Sequence, residues 1–149
     1  MMRFYKCNDC KSVAMEIVPG ECACEKNFAE LTANTTDASQ EKHVPVVERD
    51  GNTITVTVGS VEHPMLEEHY IMLIYLETCS GGMIKKLKPG DKPMAVFEIP
   101  EGQKPKAVYE YCNIHGLWIT SRSQSPSLCV PSSVTPWNVY GPSGSSAVA

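Results

Sequence analysis

No stretch of this chain stays apolar for long. The longest such run covers residues 71–76, well short of the about 20 residues needed to cross a bilayer, and residues 1–10 lack the apolar centre of a secretion signal. There is no basic stripe or arginine-rich segment, and the net charge of −4 comes from interspersed groups, which argues against a nucleic-acid partner. No internal repeat is visible. These absences lead us to expect a cytoplasmic protein that engages neither membrane nor nucleic acid. Its 149 residues suffice for one substantial core and a small satellite.

Histidine is scarce as well. The four present are His43, His63, His69 and His115, each at a turn or strand end, and Cys112 stands three residues before the last. Neutral imidazole and thiolate are ligands of borderline transition metals, so redox chemistry would follow if the fold gathered these five side chains. Seven cysteines, an odd number without a secretion signal, suit metal thiolates in a reducing compartment better than a disulfide framework.

Three segments differ in composition. Residues 1–36 hold Cys7, Cys10, Cys22 and Cys24 with few large apolar side chains, so metal is expected to hold this piece together. The polar stretch 34–37 marks its boundary. From residue 44 onward the pattern is β, with runs at 44–48, 53–58, 70–77, 83–87, 95–99 and 106–111. Turn residues separate them, and the 53–58 run alternates as a strand with one buried face does, which predicts an all-β antiparallel sandwich. Residues 122–149 are rich in Ser and Pro with almost no charge, and are expected to be a disordered tail, Trp137 and Tyr140 being its only candidates for a docking motif.

Strand parity brings the candidate ligands to one end. If each turn reverses the chain, residue 43 lies at the top, the turn at Asp50-Gly51 at the bottom, and residues 63 and 69 in one upper loop. Two further hairpins return residues 112 and 115 to the same end. For any one histidine a plain polar loop role is the more common case. Cys79 and Cys129 fall away from this set and read as ordinary cysteines. At the other end of the chain, the Cys7, Cys10, Cys22 and Cys24 set has the count of a closed tetrahedral site for zinc or iron, with zinc favoured on spacing alone.

Four segments carry a specific likeness. Glu41-Lys42-His43-Val44-Pro45, Glu62-His63-Pro64-Met65, Glu68-His69-Tyr70 and Tyr111-Cys112-Asn113-Ile114-His115-Gly116-Leu117-Trp118 resemble the desulfoferrodoxin-type superoxide reductases. The resemblance covers residues 1–118. It implies a desulforedoxin-like metal-binding domain over 1–36, then an immunoglobulin-like β-sandwich over 37–121. It also implies an iron with His43, His63, His69 and His115 equatorial and Cys112 axial. Glu41 would take the sixth position on oxidation, and Lys42 would be catalytic.

The implied activity is one-electron reduction of superoxide to hydrogen peroxide in the oxidative-stress defence of an anaerobe. A rubredoxin or similar small redox protein would be the electron donor, and the protein would be a homodimer. The chain departs from the family where Ala23 separates Cys22 from Cys24, a pair adjacent in the family, and where the loop after Cys10 is shorter. Mononuclear iron is the first expectation for that site, with zinc or an iron–sulfur cluster as alternatives. Two other readings compete: a cupredoxin-like electron carrier built on Cys112 and His115, and a non-catalytic zinc-clipped binding module.

Overall fold

The computed structural model of the chain describes residues 1–18, 27–122 and 137–139. Its elements are β1 (Arg3–Cys7), β2 (Val13–Glu16), β3 (Phe28–Glu30), α1 (Gln40–His43), β4 (Pro45–Asp50), β5 (Thr53–Val58), β6 (Ile71–Thr78), β7 (Gly81–Lys86), β8 (Met94–Glu98), β9 (Pro105–Cys112), β10 (Gly116–Arg122) and β11 (Trp137–Val139). Every strand pairing is antiparallel, and the strands form three sheets ordered β2-β1-β3, β4-β5-β8 and β11-β10-β9-β6-β7. The all-β architecture expected from the turn spacing is what forms.

Two of these sheets face each other across the main core. Ile54, Val56 and Val58 of β5 point inward, as the alternating Thr53–Val58 pattern requires, and meet Ile74 and Leu76 of β6 and Val108 of β9. The Oγ1 of Thr120 donates to the Pro45 carbonyl at 2.6 Å and ties β10 to β4. β6 breaks its alternation at one place. Ile71 pairs with Cys112 and Leu73 with Tyr111, so Met72 is a bulge, and both Ile71 and Ile74 turn into the core. Such a bulge re-aims neighbouring side chains, and this one lies three residues after His69.

The larger sheet is apolar on its outer face too, because β1 covers it. Phe4 is 1% exposed and packs with Tyr75, Tyr109, Tyr111, Leu117 and Ile119, its ring 5.0 Å from Tyr109 and 6.0 Å from Tyr75. A buried carboxylate completes the junction. Glu77 accepts from Lys106 Nζ at 2.9 Å, the Tyr109 hydroxyl at 2.9 Å and the Met2 amide at 3.1 Å, and these donors hold its carboxyl below the usual range although burial acts in the opposite sense. Composition pointed to metal as the sole support of residues 1–36. Phe4 and its partners show that the described part is also anchored by packing on the sandwich.

Two strands lie outside the expected runs. β10 was not among the expected runs, and β11 lies within the Ser/Pro tail expected to be disordered. The correction to the tail concerns residues 137–139, which pair with β10 through Thr120 to Val139, Ser121 to Asn138 and Arg122 to Trp137. Tyr140 lies outside the described residues, as does Cys129, while Cys79 sits exposed at the turn between β6 and β7.

Candidate metal centre

The histidines are held at the upper end of the sandwich by three short devices. His43 closes the single turn α1, which a close approach of backbones pins to the end of β5. The Glu41 carbonyl accepts from the Val61 amide at 2.9 Å, and Gly59 (φ +79°) leaves no room there for a Cβ, which would meet the Val61 and Glu41 carbonyl oxygens at 2.5 and 2.7 Å. His63 lies in the loop that follows. Its Nδ1 faces the Pro64 carbonyl at 2.5 Å, which fixes the ring and leaves Nε2 free to point inward.

His69 and His115 are braced against each other's segments by Asn113. The Asn113 Oδ1 accepts from the Tyr70 amide at 3.0 Å, its Nδ2 donates to the Glu68 carbonyl at 2.9 Å, and its own amide donates to the Tyr70 carbonyl at 3.2 Å. The turn 113–115 between β9 and β10 is thereby locked to the start of β6.

The four rings form a square. Centroid distances run 4.7 Å from His43 to His63, 4.6 Å from His63 to His69, 4.8 Å from His69 to His115 and 4.7 Å from His115 back to His43, with 6.3 Å across the His43–His69 diagonal. Adjacent rings stand at 63° to 82° to one another, so no two neighbours stack and each directs an edge toward the middle. One nitrogen from each lies within 4.8 Å of the others, close to the about 4 Å that two imidazoles span across one transition-metal ion. Cys112, fully buried, borders the square: its Sγ is 3.8 Å from His63 Nε2 and 3.7 Å from His115 Nδ1.

The protonation chemistry suits a cation. Burial, then the neighbouring imidazoles, then the Lys42 ammonium, hold His43 down at about 3, and burial brings His63 down to about 4 although its Pro64 contact pulls upward. His69 is lowered as well, mainly by burial. These rings offer lone pairs at neutral pH. Burial pushes the Cys112 thiol up, while the His115 and Ile114 amides directed at its sulfur oppose that, so a metal is needed to make it a thiolate.

Several buried atoms are left without partners. His69 Nε2 has no hydrogen bond, nor do His43 Nδ1 and both Glu110 oxygens. His43 Nδ1 lies 3.4 Å from Glu110 Oε1, but burial drives the histidine down and the carboxyl well up, so the metal-free contact is between two neutral groups rather than an ion pair. On its face, His43 stacks on Trp118 at 5.0 Å and 12°. A buried, orphaned nitrogen within this ring of imidazoles is costly unless something electrophilic sits among them, and the donor set therefore fits a transition metal such as iron.

The remaining expected positions are placed as follows. Glu41 and Lys42 are exposed on α1, directly before His43. Cys7 and Cys10 bracket a tight turn in which the Cys10 amide approaches Cys7 Sγ at 3.5 Å and the Lys11 amide donates to the Cys7 carbonyl at 3.2 Å. Hydrogen bonding with Ser12 lowers the Cys10 thiol. Cys22 and Cys24 lie outside the described residues. Sequence reasoning missed Glu110, Trp118, Asn113 and Gly59. Glu110 alone left a signal: it shares inward parity with Val108 and Cys112, a carboxylate where an apolar residue belongs.

Fold and site together define a β protein whose two main sheets carry a tetra-imidazole site bordered by a thiol. A sequence profile of the family described as Desulfoferrodoxin matches residues 35–121. The desulfoferrodoxin of Syntrophotalea carbinolica is 44% identical over 121 residues, covering 78% of this chain and 94% of that protein. The desulfoferrodoxin homolog of Archaeoglobus fulgidus is 42% identical over 123 residues, covering 79% and 95%. Among solved structures, the superoxide reductase from Treponema pallidum superposes with a TM-score of 0.66 at 34% identity, covering 80% of this chain and 98% of its own. The chain belongs to the desulfoferrodoxin family.

Proposed function

We propose that this protein is a superoxide reductase that converts superoxide, one electron and two protons into hydrogen peroxide. The observation that carries this reading is the square of four imidazoles bordered by the Cys112 sulfur, a donor set suited to a redox-active transition metal. His43, His63, His69, His115 and Cys112 would hold iron, which when bound supplies the one-electron couple.

The protein's own residues prepare the site for a small anion. Lys42 is exposed beside His43, and its charge is felt at His43, His63 and His69. In a chain that is negative overall, local charge decides capture, because screening beyond roughly 10 Å hides the distant carboxylates. The Lys42 Nζ also presents N–H donors to an arriving oxyanion. Glu41, exposed one residue earlier, is the carboxylate available to occupy the site in the absence of substrate. The Asn113 brace and the Pro64 carbonyl keep the imidazoles fixed while the anion comes and goes.

Four further assignments belong to the same reading. Residues 1–36 act as a second metal domain in which Cys7, Cys10, Cys22 and Cys24 bind mononuclear iron, with zinc or an iron–sulfur cluster as the alternatives, and residues 37–121 form the reductase domain. A rubredoxin or similar small redox protein delivers the electron. The working form is a homodimer. Its place is the cytoplasm.

Superoxide consumption by the ferrous, iron-loaded protein supplied with a small redox protein and its reductant, with peroxide and oxygen measured together, tests the proposal. Reduction yields one peroxide for each superoxide without oxygen evolution. Oxygen released in the proportion of a dismutation, or protein as isolated that carries zinc and no iron, would falsify it.

A further inference from the structure

Sheet edges with unpaired backbone groups invite strands from other molecules, and proteins blunt them with charge. Three of the four edges of the two main sheets do so among the described residues. β7 ends in exposed Lys85 and Lys86, β4 carries exposed Glu48, Arg49 and Asp50, and β8 ends in exposed Glu98. β10 is different. Residues 116–121, Gly-Leu-Trp-Ile-Thr-Ser, hold no charge, and its first charged residue is Arg122.

That edge is closed by two other means. Over its first half, Asn34 stands in for a strand: its amide donates to the Leu117 carbonyl at 3.0 Å, its Nδ2 donates to the Ile119 carbonyl at 3.1 Å, and its Oδ1 accepts from the Ile119 amide at 2.8 Å. Asn34 is buried and adopts φ +59°, a conformation asparagine tolerates better than most residues. With a period of two, the next outward-facing backbone groups belong to Ser121, and Ser121 is the residue that pairs with Asn138 of β11. The strand that covers it lies beyond residue 121, where the family match ends.

We propose that residues 137–139 are a built-in edge strand that occupies a place otherwise open to β10 of a second copy of this chain. Two uncovered β10 edges are self-complementary in antiparallel register about Ser121, so each protomer pairs with one other copy about a two-fold axis. These three residues thus act as a guard on association. The inference concerns only the strand edge and stands or falls apart from the reaction proposed above.

Three iron-loaded forms test it: the full chain, the chain ended after Arg122, and the full chain with Asn138→Pro, which removes the amide facing Ser121. Light-scattering mass across a wide concentration range is read with the hydrogen exchange of the Ser121 amide. The truncated and Asn138→Pro forms should shift, on concentration, to at least about twice the mass of the full-chain particle. While still dilute, their Ser121 amide should exchange at least about tenfold faster than in the full chain, and association should restore protection. Unchanged mass in both variants overturns the proposal. So does association that leaves the Ser121 amide fast, which would place the contact elsewhere, or an equally fast Ser121 amide in the full chain.

Discussion

The histidine end of the sandwich and the cysteine turn of the N-terminal unit solve the problem of placing ligands in opposite ways. His43, His63, His69 and His115 come from segments far apart in sequence, and each is fixed by backbone contacts that exist without metal: the Gly59 approach, the Pro64 carbonyl and the Asn113 brace. Cys7 and Cys10 are neighbours in one tight turn, and Cys10 is exposed. A site assembled from distant strands has its geometry set by the core, whereas a local turn relies on what it binds. The first type is preorganised, and its loss and gain of metal need not refold the protein.

The sharpest way to break this comparison is to remove one sulfur from each region. Replacing an outer-shell partner of a metal ligand costs roughly 10–100-fold, so Cys112→Ser, which removes a proposed ligand, should lower peroxide formation from superoxide by more than about a hundredfold. Cys7→Ser should leave that rate within about twofold, since β1 packs on the outer face of the larger sheet and the Cys112 sulfur lies on the inner face. Stopped-flow measurement of superoxide decay checks both. Equal losses would mean that the two regions act as one site.

Acid should expose the cost of burying imidazoles. His43 and His63 have folded-state values of about 3 and about 4, below the ordinary 6.5, so between these limits the unfolded chain binds protons that the folded chain does not. Stability of the metal-free protein is therefore complete above about 6.5 and declines as pH falls toward the folded values, by up to about 1.4 kcal/mol per pH unit for each histidine. Urea unfolding at several pH values measures the slope. A flat profile would show that the square does not hold without metal.

Gly59→Ala sharpens the same point from the backbone side. A Cβ there meets two carbonyl oxygens in a left-handed conformation, and the change should destabilise the protein by about 1–3 kcal/mol and loosen the metal, as read by chemical unfolding and chelator competition. Lys42→Ala is milder than the loss of a ligand. It should slow superoxide consumption by about tenfold and flatten its salt dependence with iron content intact, because it removes attraction and no ligand.

Much of the sandwich was legible because its strands obey a simple rule. Thr53–Val58 alternates, Gly and Pro mark the turns, and counting reversals brings residues 43, 63, 69 and 115 to the same end, where the structure gathers their rings. Parity cannot give distance. The bulge at Met72, the role of Asn113 and the Gly59 approach are backbone events with no one-dimensional pattern. β10 escaped notice because it is covered on both faces, so Leu117, Trp118 and Ile119 form an apolar run rather than an alternation. β11 was hidden by composition, since three residues in a Ser/Pro segment become a strand only through the edge they meet.

The near-parallel stack of Trp118 on His43 gives the site an optical reporter. The only other tryptophan in the chain belongs to β11, so replacing Trp137 with phenylalanine leaves one indole in contact with one metal-facing ring. Emission from that single fluorophore should dim as a paramagnetic ion fills the square and brighten as it leaves. Occupancy could then be followed in real time without any added dye.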